Sequence, residues 1–492
     1  MKPMSAMARR ESQRSSPDGS AFQPRSSTWQ NAASRQLNWC LTYPERYPTQ
    51  LLVGIGLVFA LLYAASLVLM PKPDGRIVMG DAVHHYVQLR SAVFDGDLDF
   101  RNEYVRLYRL QPGENAGPKW LFEPTVTGHV RNYMPVGPAV AWAPAFLLTS
   151  LGVWLAHLTG SAYPLDGYGR WFQAAAGFTG IVAATFGSWL AYLTATELFG
   201  KRSAIWATLT IWLASSAVYY SVISPTYSHA LSMLAVSGFW FAWVRTLGRQ
   251  TLRRYLALGG LAGLSALMRW QDGVLLVVLV LEACWHWRTS SFRGVAGRIL
   301  AAGVGAAIAF IPQMIVWTVL FGRPLTVPQG AGFMRWSDPA LLSVLFSYNH
   351  GLISWTPVIG VALVGLLLLA RRRSLVGLAA LIFFAASWFV NAAVADWWGG
   401  EAFGARRFLG CYPVFILGFA AVLEAVARTT RFSAAIAAAF ISHTFLLLLQ
   451  YQAFMHGLRN VVPYPGGFTE LWIARFRAPI DLAIWWWLQR AN

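Results

Sequence analysis

Chemistry-capable side chains are concentrated in one segment that follows the first long apolar run of this sequence. The segment reads MGDAVHHYVQLRSAVFDGDLDFRNEY and places Asp81 shortly before His84, His85 and Tyr86. A carboxylate beside imidazole and phenol groups can act as a general base that removes a proton from an attacking hydroxyl. Asp81 could equally be a helix N-cap, because it precedes a predicted helix over residues 82–94. The sequence alone leaves both interpretations open.

A second candidate lies in the stretch LMRWQDGVLL, where Arg269 and Asp272 separate two apolar runs. An ionisable side chain close to hydrocarbon is costly unless it is paired or has a function. Arg269 could bind a phosphate, because the planar guanidinium matches phosphate oxygens in a bidentate manner. The alternative is an internal ion pair between Arg269 and Asp272.

Two adjacent arginines form a third candidate, in the stretch ADWWGGEAFGARRFLG. Arg406 and Arg407 could bind an anionic ligand such as a lipid phosphate, or they could pair with Asp396 and Glu401 in the same stretch. His350, in SYNHGLISW, is a further polar residue at the predicted mouth of an apolar run. These residues are therefore candidates for contacts with a substrate.

The composition places these candidates in a membrane protein. Apolar residues make up 56% of the 492 residues, charged residues make up 12%, and there are 24 tryptophans. A soluble domain of this composition would expose too much apolar surface. The apolar runs are about 20 residues long, which is the length of a membrane-spanning helix rather than of a barrel strand. The sequence therefore predicts an all-α polytopic membrane protein.

The net charge of +18 does not indicate binding to nucleic acid, because most arginines lie in short loops between apolar runs. Such loops face the cytoplasm, and this rule orients the predicted helices. With the basic loops placed in the cytoplasm, the chain is predicted to cross the membrane about eleven times, and residues 71–135 form a long first periplasmic loop. Arg406 and Arg407 then lie outside, an exception that an anionic ligand would explain. The predicted spans lie near 51–70, 171–199, 203–223, 229–246, 255–269, 272–287, 299–321, 353–370, 374–394, 407–427 and 432–454.

Other segments complete the predicted organisation of the chain. Residues 1–48 are rich in Ser, Arg, Gln and Pro, which predicts a disordered cytoplasmic tail. Residues 136–158 are apolar enough to cross the membrane, but a crossing there would move later basic clusters outside. We therefore predict that 136–158 lies along the outer surface or re-enters. The alternative is that 136–158 crosses and that residues 171–199 are the misread element. The transmembrane domain covers 49–455, and a periplasmic C-terminal segment covers 456–492.

These motifs together resemble the bacterial branch of the GT-C glycosyltransferases, a superfamily that includes protein mannosyltransferases and aminoarabinose transferases. The resemblance rests on an early Asp in a long first outer loop, with the pattern GD…HHY…S…DGDLDF…NEY. It also rests on the later stretches MRWQD, SYNHGLISWTP and FGARRF. It covers most of residues 50–430.

The resemblance implies a GT-C-like fold in a bacterial inner membrane, with a cytoplasmic N-terminus and a periplasmic active site. It implies an inverting glycosyltransferase that moves a sugar from a polyprenyl-phosphate donor to a hydroxyl of a lipid, glycan or protein acceptor. Asp81 would be the catalytic base, and Arg269, Arg406 and Arg407 would bind the donor phosphate. The predicted contacts with substrates are His84, His85, Tyr86, Asp272, His350 and Glu401. Membrane lipids are the other expected partners, and no nucleic acid is expected.

The chain departs from the family pattern in two places that concern a metal. Many members carry a pair of acidic residues at the position of Asp81, which is followed here by Ala82. Metal-dependent members carry a carboxylate in the second outer loop, and Ser224–His229 has none. These departures count against a required divalent metal, and no cofactor is predicted.

An alternative function is transport or flipping of an anionic lipid or a lipid-linked sugar. Such a protein should bury paired charges near the middle of the membrane, often in interrupted helices of repeated halves. The polar residues within predicted spans are few, namely Glu282, His443 and Gln313, and no internal repeat is apparent. A membrane scaffold would give no reason for arginines outside the cytoplasmic loops. The sequence therefore favours an enzyme.

Overall fold

The computed structural model describes residues 36, 39–69, 75–110, 121–427 and 429–491. Most of the predicted tail, residues 1–48, lies outside these described residues. Within them, every named element is a helix, and two isolated β-bridges join Pro124 to Val130 and Met334 to Val394. The prediction of an all-α protein is confirmed for this part of the chain.

The helices follow one another with short connections over most of the chain. The α-helices are α1 (Pro48–Leu69), α2 (Asp81–Arg90), α3 (Arg101–Tyr108), α4 (Gly137–Leu158), α5 (Arg170–Thr196), α6 (Lys201–Leu213), α7 (His229–Arg245), α8 (Leu252–Met268), α9 (Leu276–Trp285), α10 (Phe292–Phe321), α11 (Leu341–Phe346), α12 (Pro357–Arg372), α13 (Ser374–Ala392), α14 (Tyr412–Val426), α15 (Thr430–Met455) and α16 (Arg475–Ala491). Shorter segments of α, 3-10 or π type are Ser91–Asp95, Ser216–Val218, Tyr219–Ile223, Trp270–Leu275, Trp287–Thr289, Leu352–Trp355, Arg406–Cys411 and Glu470–Ala474.

Seven helices of the described residues are long and apolar enough to cross a membrane, or eight if the bent pair Lys201–Leu213 and Ser216–Ile223 forms one broken span. These seven are α1, α4, α5, α10, α13, Arg406–Val426 and α15. The predicted number of eleven is not shown. Helices α7, α8 and α12 coincide with predicted spans, but they have 17, 17 and 16 residues, at or just below the shortest length of a crossing helix.

Small residues bring the helices into close contact. A Cβ atom on Gly259 of α8 would come within 2.0 Å of the carbonyl oxygen of Ala302 in α10. A Cβ on Gly365 of α12 would come within 1.8 Å of the carbonyl oxygen of Gly418 in α14. Lipid chains are as apolar as leucine, so helices in a membrane associate through such close van der Waals packing. These pairs therefore need glycine.

Helices α1, α2 and α5 meet at one end of the bundle. Arg170, the first residue of α5, donates a hydrogen bond to the carbonyl oxygen of Leu67 near the end of α1. The backbone N–H groups of Ile77 and Val78, shortly before α2, both donate to the side chain of Gln173 in the first turn of α5. We call this region, where α1 ends and α5 begins, the loop end. It carries the candidate site.

Candidate active site

A cavity of ≈ 510 Å³ at the loop end brings together side chains that are far apart in the sequence. Asp81, Arg269, Arg406 and Arg407 all line it. They come from the start of α2, from the residue after α8, and from the 3-10 segment before α14. Most of the other lining residues are aromatic, apolar or amide-bearing, including Tyr133, Trp270, Gln271, Trp317, Gln329, Phe333, Trp336 and Asn391.

Asp81 is the first residue of α2, and its side chain does not cap the helix. The N-cap position belongs to Gly80, whose φ is +53°, and the cap makes no side-chain hydrogen bond. A Cβ on Gly80 would come within 2.5 Å of the hydroxyl oxygen of Tyr227, so both the backbone angle and the space favour glycine. The N-cap interpretation of Asp81 is therefore wrong, and its carboxylate is available for other contacts.

The carboxylate of Asp81 pairs with Arg406, with 3.0 Å between Oδ2 and Nη2. The side chain of Arg406 is 11% exposed and that of Asp81 is 29% exposed, so the pair lies at the wall of the cavity rather than in bulk solvent. The same Nη2 of Arg406 donates to the carbonyl oxygen of Gly399 at 2.9 Å. The guanidinium carbon also lies 5.3 Å from the ring centre of Tyr227. Arg406 therefore has contacts that hold it in place besides Asp81.

Two opposing effects determine the pKa of Asp81. Burial would raise it, whereas the positive charge of Arg406, together with His85, Arg269 and His84, lowers it. The net result is a pKa below the ordinary value of an aspartic acid. Asp81 is therefore ionised at neutral pH, and pairing with Arg406 makes it a weak base.

Arg407 forms a local ion pair with Asp396. Its Nη2 lies 2.9 Å from Oδ1 of Asp396, and its Nη1 donates to the backbone carbonyl oxygen of the same residue at 2.7 Å. Of the two pairing partners considered from the sequence, Asp396 is thus the one used by Arg407. Glu401 is exposed and does not line the cavity.

Arg269 does not form the internal ion pair considered from the sequence. Its Nη1 donates to the hydroxyl of Ser228 at 3.0 Å, and its buried Nε has no hydrogen-bond partner within the described structure. Asp272 instead accepts a hydrogen bond from Ser232 at 2.5 Å and does not line the cavity. The guanidinium of Arg269 is therefore held at the cavity wall by a hydroxyl rather than by a carboxylate.

The side chains that follow Asp81 in α2 point into the protein and do not line the cavity. Nδ1 of His84 lies 2.9 Å from the hydroxyl of Tyr104, and the hydroxyl of Tyr86 donates to the carbonyl oxygen of Gly167. Nδ1 of His85 donates to the carbonyl oxygen of Pro135 at 2.8 Å. Burial lowers the pKa of both histidines to about 4, so they are neutral at pH 7. His84, His85 and Tyr86 therefore make contacts within the protein, behind the cavity wall.

His350 also lies outside the cavity wall. Its ring nitrogens contact the carbonyl oxygen of Trp398 at 3.0 Å and the hydroxyl of Tyr464 at 3.1 Å. It joins the loop before α12 to two later parts of the chain. Of the residues predicted from the sequence, Asp81 and the three arginines therefore line the cavity, and none of the six predicted substrate contacts does.

One wall of the cavity was not predicted from the sequence. The loop after α10 contributes Gln329, Phe333 and Trp336, and it pairs with the segment after α13. The N–H of Arg335 donates to the carbonyl oxygen of Ala393, and the N–H of Ala395 donates to that of Phe333. The loop sequence contains only these two aromatic residues and this one amide, which is too little to indicate a binding surface.

No group of three or more His, Cys, Asp or Glu side chains that could hold a metal ion occurs within the described ranges. The carboxylate of Asp81 already faces a cationic group, the guanidinium of Arg406.

Comparisons with known proteins give a distant likeness of fold. No protein-family model matches the chain, and no curated protein matches it. A crystal structure of the Archaeoglobus fulgidus oligosaccharyltransferase in complex with Zn and sulfate matches with a TM-score of 0.48 and 14% identity, over 84% of this chain and 58% of that one. The archaeal oligosaccharyltransferase AglB from Archaeoglobus fulgidus, in complex with an inhibitory peptide and a dolichol-phosphate, matches with a TM-score of 0.42 and 12% identity, over 90% of this chain and 54% of that one. The chain therefore spans little more than half the length of the solved structures that it matches.

Proposed function

We propose that this protein is a membrane glycosyltransferase of the GT-C type. It would move a sugar from a polyprenyl-phosphate donor to a hydroxyl group of a lipid, glycan or protein acceptor. The observation that supports the proposal is the cavity in which the carboxylate of Asp81 stands beside three guanidinium groups. An attacking hydroxyl needs a proton acceptor, and a departing lipid phosphate needs positive charge. The cavity offers both at one end of a helical membrane protein.

In the proposed reaction, the acceptor oxygen attacks the anomeric carbon and its proton passes to Asp81. The bond between the anomeric carbon and the phosphate oxygen breaks, and its electron pair leaves with the lipid phosphate. Arg269, Arg406 and Arg407 stabilise that negative charge. Attack from the side opposite the leaving group inverts the configuration of the sugar.

The remaining cavity wall suits a sugar ring. Trp270 and Trp317 contact each other edge to face with 5.3 Å between ring centres, and Trp336 lies on the loop after α10. Binding pockets combine such aromatic surfaces with a few polar groups that fix the orientation of the ligand. Gln329 and Asn391 provide amide groups for the hydroxyls of a sugar.

We propose that α4 lies along the outer membrane surface or re-enters beside the cavity. At its start, a Cβ on Gly137 would come within 2.2 Å of the carbonyl oxygen of Leu267, at the end of α8 next to the cavity. Near its other end, the ring of His157 donates to the carbonyl oxygen of Tyr163. The hydroxyl of Tyr163 accepts from the backbone N–H of Trp171 in α5. Both ends of α4 are thus tied to the loop end, which supports a helix that does not cross.

The proposed topology has eleven crossings, with the N-terminus in the cytoplasm and the loop end on the periplasmic face of a bacterial inner membrane. The basic residues between α7 and α8 and between α12 and α13 lie at the opposite end, and such residues mark the cytoplasmic side. The segment 456–492 would begin on the periplasmic side.

The polar residues within the predicted spans do not favour a transporter. Glu282 accepts from Arg254 at 3.0 Å and from the indole N–H of Trp243. The side chain of Gln313 accepts from the backbone N–H of Val136. Glu282 thus joins three helices, and the side-chain oxygen of Gln313 joins α10 to the start of α4. The third residue, His443, contacts Nη1 of Arg475 at 2.8 Å. Each of the three therefore has a contact within the protein.

The test uses the purified protein in proteoliposomes with polyprenyl phosphates that carry a hexose, a pentose or an aminosugar. We expect release of polyprenyl phosphate and appearance of the sugar on an acceptor from a lipid or protein extract. Movement of the donor between leaflets with its glycosyl–phosphate bond intact would support the transporter instead. Mass analysis of envelope glycolipids and glycoproteins from cells with and without the gene would identify the sugar.

A further inference from the structure

The ion pair between Asp81 and Arg406 links the base to the phosphate site. A carboxylate in contact with a guanidinium is a poor acceptor for the proton of a hydroxyl, because protonation would break a favourable charge pair. The same guanidinium is one of the groups available to the donor phosphate. In the structure, Asp81 is therefore paired with the same guanidinium that would bind the donor phosphate, so neither group is free for its proposed role.

We propose that the donor phosphate displaces Asp81 from Arg406 and so frees the carboxylate to act as the base. The proposal rests on the proposed function and adds an order of events to it. The donor binds first and takes the charge of Arg406, and only then can Asp81 accept the acceptor's proton. A bound donor would thus be a requirement for the base to work.

The contacts around the pair support this exchange. Arg406 also contacts the carbonyl oxygen of Gly399 and the ring of Tyr227. These contacts do not involve Asp81, so they can hold the guanidinium at the cavity wall after Asp81 is displaced. Asp81 has no capping bond to lose and is 29% exposed toward the cavity, so its side chain can turn without unfolding α2. Arg407 differs, because Asp396 holds it through both the carboxylate and the backbone carbonyl.

The charges around the cavity are balanced while Asp81 holds Arg406. Three arginines and two carboxylates line the cavity, and the buried carboxylate of Asp272 acts on Arg269 from behind the wall. His84 and His85 are neutral at pH 7 and do not change this balance. The phosphodiester therefore has to take the place of a carboxylate, and Asp81 is the carboxylate in contact with Arg406.

The test measures binding and needs no turnover. The probe is a farnesyl phosphodiester with a methyl group in place of the sugar, and the protein is the full chain in detergent. If Asp81 and the phosphate compete for Arg406, Asp81→Asn must bind the probe more tightly than the wild type does, by about tenfold. In an Arg406→Gln background, the same Asp81→Asn change should alter the affinity by about twofold or less, because there is no guanidinium to compete for.

Each outcome decides between alternatives. Equal or weaker binding by Asp81→Asn would overturn the exchange, and so would a gain of the same size in the Arg406→Gln background, which would indicate general charge repulsion. A wild-type protein that does not bind the probe at all would overturn the proposed donor class and the exchange with it. Asp81→Ala carries the same expectation and replaces Asp81→Asn should that variant not fold, as judged by thermal unfolding.

Discussion

Arg406 lies in the last long loop of the transmembrane domain and Asp81 in the first, yet 3.0 Å separates Nη2 of the one from Oδ2 of the other. This contact joins two segments that are far apart in the sequence, at the wall of the cavity. It also unites the candidate base with a candidate phosphate ligand. A change in either residue should therefore affect both proton transfer and donor binding, and the two effects can be measured separately.

Asp81→Asn should nearly abolish sugar transfer while leaving the amount of folded protein unchanged. A general base contributes about 10²–10⁴ in rate, and an amide cannot accept the proton. The measurement is the turnover of a defined donor in proteoliposomes. Asp97→Asn is the matched control, because Asp97 lies in the same loop and accepts a hydrogen bond from Ser91 outside the cavity. Turnover by Asp81→Asn at the wild-type rate would remove Asp81 from the mechanism.

Arg269→Ala and Arg406→Ala should each weaken the use of the donor by roughly ten- to a hundredfold in kcat/KM, because a charged hydrogen bond to phosphate contributes about 1.5–3 kcal/mol. Lysine should restore little, since it cannot form a bidentate contact. Arg245→Ala is the control, because Arg245 lies near exposed Glu197 at the opposite end of the bundle. If neither alanine variant changes kcat/KM, these arginines have a structural role only.

The dependence of kcat/KM on pH should change when the charge of Arg406 is removed. Arg406 contributes to the lowered pKa of Asp81, so the acidic limb of kcat/KM should lie below the ordinary pKa of an aspartate in the wild type. Arg406→Gln removes that charge, so the pKa of Asp81 should rise and the limb should move to higher pH. The residual activity of the variant is measured against pH with a saturating acceptor. An unmoved limb would mean that Asp81 is not the group that titrates.

Gly80→Ala should lower both stability and turnover. The residue has a φ of +53°, and a Cβ would come within 2.5 Å of the hydroxyl oxygen of Tyr227, so α2 would have to shift and take Asp81 with it. Gly96→Ala is a matched control, because Gly96 has a φ of +74° but no atom within 4 Å of the added Cβ. Backbone strain of about 1–2 kcal/mol should lower Tm in both variants. A loss of kcat restricted to Gly80→Ala would show that the position of Asp81 matters.

Reporter fusions test the topology on which these assignments depend. A reporter after residue 250 or 373 should be cytoplasmic, and one after 335 or at 492 should be periplasmic. Alkaline phosphatase and green fluorescent protein fusions give opposite signals on the two sides. A reporter at 335 on the cytoplasmic side would place the cavity on the wrong face for a polyprenyl-phosphate donor outside the cell.

The five charged residues that line the cavity could be found from the sequence, because a charge beside an apolar run is costly and needs a reason. Their arrangement could not. The partner of Asp81 is far along the chain, and only the folded bundle brings Arg406 to it. Trp317 and Asn391 were missed for a different reason, since a tryptophan or an asparagine within an apolar helix gives no sign of which neighbour it faces. His84 and Tyr86 show the opposite error. They were predicted to contact the substrate because they lie next to Asp81 in the sequence, but their side chains turn away from the cavity.

The contacts of α4 have a consequence for how such a protein can change over evolution. In the proposed topology, α4 starts and ends on the same side of the membrane, so it does not change the direction of the helices that follow it. If α4 were lost, lengthened or replaced, every later helix would keep its orientation in the membrane. A helix that crosses once has no such freedom, since its loss inverts the rest of the molecule. In the proposed topology, related chains could therefore differ in α4 without a change in the orientation of their later helices.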